Sequence, residues 1–226
     1  MRLAAPDSLF ARLRAGATAE WQSYVEHPFV WALGDGSLPE RCFRHYLGQD
    51  YLFLIHFARA YALAAYKAES LADIRAAGET LRALSEVEMR LHVQYCAGWG
   101  MTETDMEGLP EAPETMAYTR YVLERGLAGD VLDLHVALAP CVIGYAEIGQ
   151  NLLRSPATRR QGNPYVAWID QYAGEAYQAV AQAAVVQLDR LAQRRLTPAR
   201  LPDLARTFAE ATRLEAAFWQ MGLDAG

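Results

Sequence analysis

The chain is short of several things at once, and each shortage excludes something. Three cysteines in 226 residues (Cys42, Cys96 and Cys141), with no CxxC pair, exclude a disulfide framework. There are 5 histidines and none beyond His135. A carboxylate-bridged di-metal centre in a helical protein draws Glu-x-x-His pairs from several helices, so it would be short of ligands. No stretch approaches 18 uncharged apolar residues, so no membrane span is expected. The N-terminal residues carry prolines and acids instead of a long apolar run, so no secretory signal is expected either. Clustered positive charge is missing too: the formal net charge is −6 and the basic residues are dispersed, which argues against nucleic acid as a partner. The chain reads as a cytoplasmic protein.

Extended β-branched runs are also lacking, while Ala, Leu, Arg, Glu and Gln dominate at helical spacing. The periodicity predicts helices at about 7–26, 39–68, 72–97, 114–126, 130–154, 163–192 and 201–221. Turn chemistry separates them: Leu33-Gly34-Asp35-Gly36-Ser37-Leu38-Pro39, then Gly98-Trp99-Gly100, then Pro156, Gly162 and Pro164, then Pro198 and Pro202. No gap is long enough for a linker and no internal repeat is visible. The fold expected is all-α, one domain over residues 1–226, a bundle of about seven helices packed around a single core.

Inside such a bundle the informative residues are polar ones on apolar faces. Cys141 follows Pro140 in the apolar run Leu138–Ala146, with Tyr145 one helical turn on. A proline inside a helix costs roughly 3 kcal/mol, so local backbone shape matters there. Taken alone, this thiol reads more readily as a small core residue than as a reactive group. Asp50 lies among Tyr46, Phe53, Leu54 and Phe57, where an isolated charge is costly and needs a partner or a function. Glu215 neighbours Phe218 and Trp219. Tyr118, Tyr121, Tyr145, Tyr165 and Tyr172 each read as core residues with satisfied hydroxyls, yet together they are enough to wall a pocket for a flat heterocycle. Glu86, Glu88 and His92 sit at metal-ligand spacing, but a surface ion pair is the better reading, and no metal is expected.

With these residues in place, the sequence resembles the TenA/thiaminase II family over nearly its whole length. The resemblance rests on His27-Pro28-Phe29-Val30 with Gly34–Pro39 and Phe43, on Tyr46 with Gln49-Asp50, and on Glu88-Met89 with His92. Pro140-Cys141 with Tyr145 and Glu147, Trp168 with Tyr172, and Glu215 with Phe218-Trp219 complete it. It implies the all-helical fold of haem oxygenases, without haem. It implies hydrolysis of a 5-aminomethyl-2-methylpyrimidin-4-amine to its hydroxymethyl counterpart in thiamin salvage, or cleavage of thiamin into pyrimidine and thiazole. Cys141 matches the nucleophile and Glu215 the general acid/base. Asp50 matches the carboxylate that holds the aminopyrimidine, and Tyr118, Tyr145 and Tyr172 match tyrosines lining its pocket. Phe53 stands where many members have a tyrosine whose hydroxyl helps to activate the thiol, which leaves that task to Asp50, other tyrosines or the substrate. The chemistry calls for no metal or organic cofactor, and the resemblance implies a homotetramer. A non-catalytic pyrimidine- or thiamin-binding regulator, and a metal-dependent oxidase on the same fold, are the alternatives.

Overall fold

The computed structural model describes residues 4–226, apart from the side chains of Val87, Glu88 and Leu91. Among the described residues there is no strand; the chain forms twelve helices and one π-helical turn. They are α1 (Leu9–Gly16), α2 (Thr18–Val25), α3 (Pro28–Asp35), α4 (Glu40–Lys67) and α5 (Leu71–Ala83), then the π-turn Leu84–Glu88. After it come α6 (Met89–Ala97), α7 (Glu103–Glu107), α8 (Pro113–Ala128), α9 (Val131–Arg154), α10 (Val166–Ala173), α11 (Glu175–Arg195) and α12 (Leu201–Asp224).

The all-α class is as the sequence implies, but the helices are more finely divided than seven. The stretch 7–26 breaks at Ala17, whose backbone leaves helical geometry. His27-Pro28 starts a helix of its own. The His27 Nδ1 accepts the Phe29 amide at 3.2 Å, and Pro28 occupies the first turn, where its missing N–H costs nothing. Gly36, at φ +79°, ends that helix in a conformation that favours glycine. The stretch 72–97 contains the π-turn, and 163–192 is divided at Gly174. The break expected around Gly126 to Gly129 falls at its far end, since α8 runs to Ala128 and Gly129 caps it.

Long α9 is the axis of the molecule, packed by α2, α4, α8, α10, α11 and α12. Asp130 caps it, accepting the Leu132 amide at 2.8 Å, while Asp133 accepts the Asp130 amide at 2.8 Å. Arg200 and Arg195 reach that same cap and fasten the start of α9 to the end of α11. Helix α9 is long and apolar enough to cross a bilayer, but most of it is buried inside the protein. It continues through Pro140 without interruption. Two glycines let neighbours approach it closely. A Cβ on Gly144 would lie 2.2 Å from the Tyr24 ring, and one on Gly149 would lie 2.5 Å from the Tyr172 backbone.

Candidate active site

Four long helices converge on one enclosed patch. Helix α4 contributes Tyr46, Asp50 and Phe53, one turn apart or nearly so, which puts them on a common face. Helix α9 contributes Cys141 and Tyr145 by the same spacing, α12 contributes Glu215, Phe218 and Trp219, and α8 contributes Tyr118. All of these side chains are buried; Cys141 is the most accessible, at 9 %.

Glu215 is the chemical centre. Its carboxyl accepts the Tyr118 hydroxyl at 2.7 Å, and the Cys141 thiol and Tyr24 hydroxyl hydrogen-bond it as well. Burial pushes its pKa up to about 8, Asp50 adds in the same direction, and the hydrogen bonds oppose them without prevailing. At neutral pH Glu215 therefore carries its proton in direct contact with a thiol. The neighbouring phenols stay protonated: burial, with the carboxylates beside them, holds Tyr24, Tyr46, Tyr118 and Tyr145 well above the ordinary tyrosine value.

Asp50 forms the other pole. Its Oδ2 accepts the Tyr46 hydroxyl at 3.1 Å and lies 2.6 Å from the His92 Nε2. Tyr46 in turn accepts the Trp168 indole N–H at 3.3 Å and lies 3.4 Å from the Tyr145 hydroxyl. His92 is therefore buried against Asp50 and is not part of a surface ion pair; the Glu88 side chain lies outside the described residues. A hydrogen bond to a charged group contributes about 1.5–3 kcal/mol, so this pair fixes the Asp50 carboxylate before any ligand arrives.

Aromatic rings fill the space between the poles. Phe53 lies 4.9 Å from Tyr118 and 5.7 Å from Phe218, and it brings no hydroxyl to the thiol. Tyr145 meets Tyr172 at 4.8 Å and Trp219 at 5.3 Å. The seven residues to which the resemblance assigns a place in the site (Cys141, Glu215, Asp50, Phe53, Tyr118, Tyr145 and Tyr172) thus share one connected patch. Tyr165 does not belong to it, since its hydroxyl donates to the Leu38 carbonyl at 2.5 Å as a loop strut. Two residues escape a sequence reading. Tyr24 arrives from α2, its hydroxyl 3.4 Å from the Pro140 carbonyl, and Tyr177, in the first turn of α11, stacks edge-on to Tyr172 at 4.8 Å. The small Gly144, facing Tyr24, was the one available signal for the first; nothing signalled the second. Among the described residues, no three His, Cys, Asp or Glu side chains gather as a metal site.

Fold and site together define an all-helical protein that encloses a thiol, two carboxyl groups and a cage of phenols. The chain belongs to the TENA/THI-4/PQQC family, whose model matches residues 14–225. An uncharacterized protein of Haemophilus influenzae is 43% identical over 204 residues, 90% of this chain and 94% of its own. An aminopyrimidine aminohydrolase of Halalkalibacterium halodurans is 35% identical over 218 residues, 96% of each chain. The crystal structure of a TenA family transcription regulator from Silicibacter sp. superposes with a TM-score of 0.90 at 45% identity, covering 95% of this chain and 96% of that one.

Proposed function

We propose that this protein hydrolyses the exocyclic C–N bond of a 4-amino-2-methylpyrimidine bearing a 5-aminomethyl group, giving the 5-hydroxymethyl pyrimidine and ammonia. The observation that carries the reading is the contact between the Cys141 thiol and a Glu215 carboxyl that is still protonated at neutral pH. The similarity to aminopyrimidine aminohydrolases supports the substrate class.

Asp50, held by His92 and Tyr46, accepts hydrogen bonds from the aminopyrimidine edge, and the aromatic cage receives the ring. Cys141 Sγ adds to the ring carbon beside the one bearing the methylene. Glu215 gives its proton to a ring nitrogen and takes up the thiol's proton. The C–N bond then breaks; the nitrogen keeps the electron pair, collects the proton from Glu215 and leaves as ammonia. Water adds through its oxygen to the exposed methylene and returns a proton to Glu215. The C–S bond breaks last. Sulfur keeps that pair, the ring proton returns to it by way of Glu215, and aromaticity is restored. The sum is aminomethyl pyrimidine plus water to hydroxymethyl pyrimidine plus ammonia. Covalent catalysis of this kind replaces one difficult displacement with easier steps, and one carboxyl of raised pKa serves every proton transfer.

Cleavage of thiamin would use the same residues with the thiazole as leaving group. The reading places the protein in the cytoplasm as a homo-oligomer that takes up a small molecule, with no cofactor. Incubation with the aminomethyl pyrimidine, following ammonia and the hydroxymethyl product, tests it. Cys141→Ser and Cys141→Ala are expected to abolish turnover with the melting temperature preserved; turnover like that of the unmodified protein in either variant removes the nucleophile from the mechanism.

A further inference from the structure

The rings beside the thiol form a ranked series from the buried pole outward. Tyr46 touches Asp50, Tyr145 touches Tyr46, Tyr172 touches Tyr145, and Tyr177 touches Tyr172. The first three are sealed from solvent and Tyr177 is half-buried. From Asp50, where the amino edge of a pyrimidine would be anchored, this series is a continuous aromatic path toward the solvent end.

Tyr177 is held firmly in that place. Gly174 divides α10 from α11, and the corner is pinned on both sides to α9. The Gln178 amide donates to the Ala146 carbonyl at 3.0 Å and the Tyr172 carbonyl at 2.8 Å, and the Gln150 amide donates to the Ala173 carbonyl at 2.8 Å. Gly149 brings the α9 backbone against the Tyr172 backbone, which leaves the corner little room to slide. The Tyr177 hydroxyl also lies close enough to Tyr24 and Tyr118 to act on them electrostatically. Glu175 and Gln178, on either side of Tyr177 in the chain, line two clefts of about 750 and 940 Å³, and neither cleft reaches Asp50, Cys141 or Glu215.

We infer that Tyr177 is the specificity-determining residue for the leaving group: a fixed aromatic stop that admits an amine on the pyrimidine methylene and obstructs a ring-sized substituent there. This rests on the aminopyrimidine reading of the site and names what that reading leaves open, the size of the departing group. Discrimination by apolar bulk typically amounts to about 10- to 200-fold, so the effect is measurable without loss of the chemistry.

The experiment is a comparison of kcat/KM for the aminomethyl pyrimidine and for thiamin, in the unmodified protein and in Tyr177→Ala and Tyr177→Phe. The alanine variant is expected to raise the ratio of thiamin to aminomethyl pyrimidine by at least about tenfold, mainly through the KM for thiamin; the phenylalanine variant, which keeps the ring, shifts it less. If the alanine variant melts below the assay temperature, Tyr177→Leu shortens the side chain while keeping apolar packing and gives the same comparison. A ratio unchanged in the shortened variants overturns the inference, and so does an equal shift in the phenylalanine variant, which would assign the effect to the hydroxyl. An unmodified protein that turns over neither compound overturns the functional reading and the inference with it, whereas turnover with an unchanged ratio overturns the inference alone.

Discussion

A carboxylic acid that keeps its proton at neutral pH is a rare side chain, and Glu215 owes that state to burial first and to the Asp50 charge second. If its proton starts the reaction, kcat is expected to fall as pH rises through about 8, because ionised Glu215 can no longer protonate the ring nitrogen. Glu215→Gln is expected to lower kcat by about 10²-fold or more. A profile flat to well above pH 9, measured by ammonia release, would show that the acid is elsewhere. Glu215, Asp50 and Cys141 could be picked out of the sequence because each is a polar group in an apolar setting. His92 was visible too, but its place was misread as half of a surface ion pair, because Glu86, Glu88 and Arg90 precede it. A π-turn adds a residue to the winding, and the one at Leu84–Glu88 rotates the following helix relative to a 3.6-residue reading, so His92 turns inward against Asp50. Tyr24 and Tyr177 were hidden for a different reason. A tyrosine at helical spacing looks the same whether its hydroxyl meets a core carbonyl or a reacting group, and only the fold brings Tyr24 to Pro140 across 116 positions.

At the scale of elements, the contact of α9 with α10 sets the position of Tyr172 and, through it, Tyr177. Gly149→Ala tests this contact. Its new methyl would lie 2.5 Å from the Tyr172 carbonyl carbon and 2.6 Å from the Ala173 nitrogen. Both are backbone atoms, so the helices must separate. A stability loss of about 2 kcal/mol, within the usual range for overpacking, is expected in denaturant unfolding, together with a raised KM; unchanged stability would mean that the corner has more freedom than its two glutamine ties imply. The long helices, α4, α9 and α12, were legible because their apolar stripes run through several turns. The short ones at the N-terminal end, and the division at Gly174, were not. A break without a proline, such as Ala17, leaves no mark on the hydrophobic period, and the glycine at 174 is one of 16 in the chain.

Over the whole molecule, buried titratable groups set opposing limits on stability. Glu215, raised from an ordinary 4.5 to about 8, holds more protons folded than unfolded across that interval, so stability declines as pH rises through it. His135, lowered by burial to about 4, is neutral when folded and would be protonated when unfolded below about 6.5, so stability declines as pH falls toward 4. His27 and His56, also lowered by burial, act in the same direction. Asp130 extends the acid limb: burial alone would raise its pKa, but Arg200 and the cap amides bring it down to about 2, so its contribution disappears between about 3.9 and 2. Stability is therefore expected to be greatest near pH 6.5 and to fall on both sides. Glu215→Gln is expected to flatten the alkaline side, a difference on the order of a few kcal/mol by pH 8, and to steepen the acid side between about 4.5 and 6.5, where Glu215 opposes the histidines; unfolding midpoints taken at intervals of pH would show whether the alkaline slope belongs to Glu215. The helix that carries the thiol has a further consequence, for synthesis. Residues 131–154 leave the ribosome before α10, α11 and α12 exist to cover them, and by length and composition they are apolar enough to cross a membrane. For that interval the stretch is a target for chaperones and for membranes, so substitutions on its covered face should appear first as lost folding yield in the cell, ahead of any change in the melting of molecules that did fold.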